Sequence, residues 1–219
     1  MPLAIENGTV LIPEVDGPPP ERHILDIKHI PQDGKLWCWA ACVQMVLEYY
    51  ERTKPESGIK NLSQCDIVGK MVGHTADPCP EDRQMRLDSC DFDQMKSVWQ
   101  ACGIQKELRD PEAVLSITGI RKRINDQTQQ PIEVGLVWDD GGGHAVLIKG
   151  WAATNPETLV IDDPLRESAF HALEFDDVEP DGSGRATHKE LRDGLGHGTW
   201  TRTWFNLVPS SDPPAPPQG

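Results

Sequence analysis

Apolar positions recur at helical spacing in the first half of the chain and at strand spacing in the second. The longest apolar run, Val43 to Tyr50, gives way to polar residues from Glu51 to Gly58 and reads as a buried helix. Leu62, Ile67 and Met71 predict a second helix, with Ser63 positioned as its N-cap. Phe92, Met95, Val98 and Trp99 fall at i, i+3, i+6 and i+7 and predict a third over Asp91 to Cys102, with Gly103 where a C-cap belongs. Pro111 to Ile124 is another amphipathic stretch, and its basic end, Arg121-Lys122-Arg123, reads as a solvated face.

The second half alternates instead. Pro131 to Trp138 and His144 to Trp151 predict two strands joined by the turn sequence Asp139-Asp140-Gly141-Gly142-Gly143. Thr158 to Ile161, Phe170 to Phe175 and Thr199 to Leu207 predict three more, and His23 to Ile30 a short one ahead of the first helix. Closely spaced strands with Gly and Asp turns indicate an antiparallel sheet or half-barrel. Helices first and sheet second predict an α+β, two-lobed domain. Residues 1–22 carry Pro13, Pro18, Pro19 and Pro20 and read as an arm without a core; 23–208 form the domain, and 209–219 a Pro-rich disordered tail. Gly73 to Asp91 reads as an irregular loop.

Charge narrows the range of partners. With 21 Lys plus Arg against 35 Asp plus Glu, the net charge is −14, which argues against nucleic acid and anionic lipid. The start, Met1 to Asn7, lacks the basic and apolar segments of a secretory signal, and no apolar run approaches the ~20 residues that cross a bilayer. A soluble protein is expected. Six cysteines occur, none in a C-x-x-C pair, so no metal or other cofactor is called for. Cys65, Cys79, Cys90 and Cys102 could form up to two disulfides or stay reduced.

Candidate chemistry centres on Gln32-Asp33-Gly34-Lys35-Leu36-Trp37-Cys38-Trp39-Ala40-Ala41-Cys42. A thiol in the first turn of a buried helix meets outward-pointing N–H groups and the positive end of the helix dipole, a setting that favours thiolate. Cys38 is therefore the candidate nucleophile, and Cys42, one turn later, reads as a small buried residue. Gln32, six positions upstream, could aim its amide at the spot faced by the Cys38 N–H, and the two would form an oxyanion hole. Trp39 reads as packing the base of a cleft and Trp37 as part of its wall on the leaving-group side.

This arrangement resembles the papain-like cysteine proteases, in which a Gln six residues before a Cys-Trp-Ala helix start has that role. Lys35 and Leu36 depart from the eukaryotic pattern, and the Cys-Trp-Ala-Ala-Cys run with Met45 and Tyr49-Tyr50 looks more like the bacterial effector-type members. The resemblance implies a His at a strand start after a Gly turn, which His144-Ala145-Val146 matches. It also implies an Asp at the end of the next strand, commonly before Pro. Asp163 precedes Pro164 and is favoured; Asp162 is the alternative, and adjacent strand residues face opposite sides.

What the resemblance implies, then, is a cysteine endopeptidase with a Cys38–His144–Asp163 triad and an acyl-enzyme. Its partner would be a protein or peptide substrate, with an inhibitor or immunity protein as a further one. Its setting would be the bacterial cytoplasm or export by a route without a cleaved signal, as an effector, toxin or processing enzyme. Two alternatives use the same residues: a glutamine deamidase or acyltransferase, and an inactive binding module. Asp139 and Asp140, beside the Gly turn, would repel acidic substrates.

Overall fold

The computed structural model describes residues 4–6, 9–11, 21–71, 90, 92–108, 114–154, 157–166 and 173–210. Strands β1 (Ala4–Glu6) and β2 (Thr9–Leu11) pair as a two-stranded antiparallel sheet in which Ile5 lies opposite Val10. Both strands fall within the N-terminal arm, residues 1–22. Strand β3 (Arg22–Ile24) follows, shorter than the 23–30 segment expected, and pairs with the long central strand β6.

Helix α1 (Cys38–Thr53) is the core helix. Trp39, Ala40, Val43, Met45, Val46, Leu47 and Tyr50 are among its buried residues, so most of its circumference is covered. Each fully buried aliphatic side chain contributes roughly 1.5–3 kcal/mol. The helix stops before Pro55, whose ring disfavours helical backbone at Lys54; that residue sits at φ −137°, ψ 61°. Helix α2 (Gln64–Gly69) starts as expected from Ser63, whose hydroxyl accepts from the Asp66 N–H while the Asp66 carboxylate accepts from the Ser63 N–H.

Helix α3 (Phe92–Ala101) ends at Gly103, whose φ of +77° suits glycine and turns the chain into a strand the pattern did not reveal, β4 (Ile104–Leu108). Helix α4 (Ile117–Arg123) is shorter than the stretch expected, because Ser116 caps it and sets its start.

The sheet comprises β5 (Ile132–Trp138), β6 (Gly143–Ala152), β7 (Thr158–Asp162), β8 (Asp177–Val178), β9 (Gly184–Thr187) and β10 (Gly198–Pro209), with helix α5 (His188–Arg192) before the last strand. Its order is β4-β10-β5-β6-β7-β9-β8, antiparallel throughout, with β3 on β6. The chain is thus α+β, as expected. Residues 173–175 are not strand, contrary to the expectation for Phe170 to Phe175; the next pairing is made by β8 and β9, and residues 170–172 lie outside the described residues. The expected loop 73–91 also lies outside them apart from Cys90.

Helix α1 packs across β6, and one apolar core joins them: Val43, Val46 and Leu47 share a cluster with Val134, Val146, Ile148 and Ile161. That contact fixes the N-terminus of α1 over the start of β6, where His144 lies. No helix among the described residues is long and apolar enough to cross a membrane.

Candidate active site

Cys38 is the first residue of α1, and Trp37 before it supplies no side-chain cap. The helix start is thus uncapped by the preceding side chain at the point where the thiol emerges. Cys38 is half-buried and lines a cavity of about 500 Å³ with His144, Gln32, Trp39 and Glu133. Cys42 is buried, and burial, followed by the nearby Glu133 and Cys38, pushes its thiol well above the ordinary range. Burial likewise pushes Cys102 up to about 12. Neither is equipped to act as a nucleophile.

His144 opens β6 directly after the glycine turn, opposite Leu136 of β5. Its Nε2 lies 2.7 Å from Asp163 Oδ1, with both side chains almost wholly buried. Cys38 acts on the same imidazole, and both side chains line the cavity. Burial works to lower the imidazole, but the Asp163 carboxylate and its hydrogen bond outweigh it, and His144 is pushed up to about 10. Asp163 also accepts from the backbone N–H of Leu165 at 2.8 Å and of Leu173 at 2.7 Å. Burial opposes its ionisation; the imidazolium and these donors hold it below the usual carboxylate range.

Asp162 points the other way. It accepts from His29 Nδ1 at 2.6 Å and from Lys149 Nζ at 3.1 Å, inside the protein behind the cleft. The alternation along β7 thus separates the two aspartates that the sequence left as alternatives, and Asp163 is the one beside the imidazole.

The loop before Cys38 is held from several sides. The Gln32 N–H donates to Pro164 O at 3.1 Å, the Asp33 N–H to Gln64 Oε1 at 2.8 Å, and Gln64 Nε2 to Pro31 O at 2.9 Å. The Gln32 amide itself donates to Gly34 O and Lys35 O, at 2.8 and 2.9 Å, while its buried Oε1 has no hydrogen-bond partner among the described residues. Gln32 therefore lines the cavity, but its two amide protons are spent on its own loop.

The structure corrects the reading of Trp37. Its ring is fully buried against Gly34 and is not part of the cavity wall, because a chain reversal at residues 34–37 folds it under the loop. Trp39, 5 % exposed, does line the cavity.

Three neighbours were missed. Trp138 stacks on the His144 ring with centroids 5.6 Å apart and planes 20° apart; its position just before the turn that leads back to His144 was the available signal. Glu133 is a fully buried carboxyl that accepts from Trp99 Nε1 at 2.9 Å, and burial raises it well above the usual carboxylate range. Nothing in the pattern marked it, since strand alternation gives no warning of a polar residue facing a core. Gln64, the brace of the active-site loop, carried no signal beyond being polar at a helix start.

Asp139 and Asp140 line an adjoining cavity of about 620 Å³ with Glu174 and His197, sharing Trp138 and Gly141 with the Cys38 cavity. Among the described residues no three His, Cys, Asp or Glu side chains converge as a metal site. Cys65 is disulfide-bonded, while Cys90 and Cys102 carry thiols; Cys79 lies outside the described residues.

A helix-borne thiol beside a His–Asp pair at the ends of central strands of an antiparallel sheet has the layout of a papain-like cysteine protease. Residues 22–175, well over half of the 219, match the family described as papain-like cysteine protease AvrRpt2. The chain belongs to that family. No curated protein matches it significantly.

Proposed function

We propose that the protein is a cysteine endopeptidase of effector type that hydrolyses peptide bonds through Cys38, His144 and Asp163, in a two-lobed papain-like arrangement. The observation that carries this is the pairing of His144 with Asp163 at 2.7 Å on the wall of the cavity that Cys38 also lines. His144 takes the Cys38 proton and stays hydrogen-bonded to Asp163, which fixes its tautomer and stabilises the imidazolium. The thiolate attacks the carbonyl carbon. The negative charge that develops on oxygen meets the Cys38 N–H at the uncapped helix start. Gln32 becomes the second donor by turning its amide away from Gly34 O and Lys35 O when substrate arrives. His144 then protonates the leaving amine, and water, activated by the same imidazole, releases the acyl group.

The test is intact-mass spectrometry after brief exposure to an epoxide that alkylates activated cysteines. One adduct on the wild type, lost in Cys38→Ala and much slowed in His144→Ala, supports the reading. Labelling elsewhere, or none, overturns it in favour of an inactive binding module. Incubation with candidate proteins then separates the chemistries: fragments mean peptidase, whereas a gain of about one dalton on an intact chain means glutamine deamidation.

A further inference from the structure

Behind the cleft lies a polar cluster that the proposed chemistry does not use. Lys149 is 1 % exposed and Asp162 wholly buried. Lys149 Nζ donates to Asp162 Oδ2 at 3.1 Å, to Ile27 O at 3.3 Å and to Asp181 Oδ2 at 2.8 Å. His29 Nδ1 donates to Asp162 Oδ1 at 2.6 Å. Asp181 in turn accepts from the Ser183 N–H and hydroxyl.

Stability alone is a poor account of such a cluster. Desolvating a Lys and an Asp costs several kcal/mol per ion, and apolar residues of similar volume often serve a core as well or better. The cluster does, however, join the segments that carry the candidate catalytic groups. Asp162 is the residue before Asp163. Lys149 sits on β6, the strand that His144 opens. His29 belongs to the loop that runs on to Gln32, whose N–H is bonded to Pro164 O on the far side of Asp163.

We propose that His29 and Lys149 are positioning residues that act through Asp162. They clamp the end of β7 so that Asp163 faces His144, and they tie the Gln32 loop to that same strand end. This rests on the reading of Cys38, His144 and Asp163 as the catalytic groups. Without His29 the loop keeps its single backbone bond to Pro164 and the Gln64 brace, but loses its anchor to β7. Without Lys149, Asp162 becomes a buried carboxylate with its main cation gone, directly before the residue that must hold the imidazole. Either change loosens the His144–Asp163 alignment while leaving the cavity walls in place.

The test uses the full chain and the epoxide label, so that no substrate need be known. The first-order labelling rate at saturation and the half-saturating concentration are measured for wild type, His29→Ala, His29→Asn and Lys149→Met, with each rate divided by the folded fraction from near-UV circular dichroism. His29→Ala and Lys149→Met are expected to lower the saturated rate about tenfold, with half-saturation changed less than about twofold, the pattern of lost alignment rather than lost binding. His29→Asn is expected to recover most of the rate, because its side-chain N–H takes the place of the imidazole Nδ1–H. Wild-type rates in both His29→Ala and Lys149→Met would overturn the proposal, as would a His29→Asn variant as slow as His29→Ala. A wild type that takes no label would instead remove the catalytic reading beneath it.

Discussion

Asp162 and Asp163 are consecutive residues that serve opposite sides of one strand end. Asp163 holds His144 at 2.7 Å on the cleft side, and Asp162 holds His29 at 2.6 Å and Lys149 at 3.1 Å on the buried side. Substituting each by Asn should therefore have different consequences. Asp163→Asn removes the charge that raises the imidazole, so the alkaline limb of the rate–pH profile, set near 10 by His144, should move to lower pH. Activity at neutral pH should fall about 10²-fold. Asp162→Asn should leave that limb closer to its wild-type position. Epoxide labelling rates across pH check both.

Stability should peak at mildly acidic pH. His144 has a folded value of about 10 against an ordinary 6.5, so the folded state holds a proton that the unfolded chain releases; its contribution is full below about 6.5 and fades as pH rises toward 10. Asp162, Asp163 and Asp181 are all lowered when folded, so their contribution is present above the ordinary carboxylate range and fades as pH falls through their folded values. Urea unfolding at a series of pH values should give a maximum between these limits, and His144→Ala should flatten the alkaline side.

Glu133→Gln should be stabilising at alkaline pH. Burial raises the Glu133 carboxyl, so the unfolded chain ionises it more readily and the wild type loses stability as pH rises above about 4.5. Gln cannot ionise, and its carbonyl can still accept from Trp99 Nε1. The melting temperature of Glu133→Gln should exceed that of the wild type at pH 8, with the difference vanishing near pH 4.

Gly34→Ala should damage the site through packing. A Cβ at residue 34 would lie 2.6 Å from Trp37 Cδ2, inside any tolerable contact with a fully buried ring. Relief requires moving the ring or the loop that carries Gln32 into Cys38. A loss of about 1–3 kcal/mol in urea unfolding is expected, with slower labelling of Cys38.

Asp139→Asn with Asp140→Asn should relax discrimination against acidic peptides. Both residues line the cavity that adjoins His144 through Trp138 and Gly141, where their charge would act on a chain bound across the cleft. Cleavage of peptide pairs differing by one Asp-to-Asn change should become more nearly equal in the double variant, most clearly at low salt. Unchanged peptide preference would remove the idea.

Much was legible from local pattern because local physics decides it. The apolar run after Cys38 can only be buried as a helix, Ser63 and Asp66 cap one another within four residues, and the glycine turn before His144 makes a hairpin without outside help. Those features sufficed to place Cys38 at a helix start and His144 at a strand start, and to assign the α+β class. What depends on long-range contact was decided only by the tertiary structure. Strand β4 is short and completed by β10, about a hundred residues later, so its own pattern is weak. Which aspartate meets His144 depends on the facing of β7 against β6. The donors of Gln32 turn to its own loop, Trp37 folds beneath Gly34, and Glu133, Gln64, His29 and Lys149 gain their partners from distant segments. A residue's type limits the bonds it can make; packing of remote elements determines which of them are made.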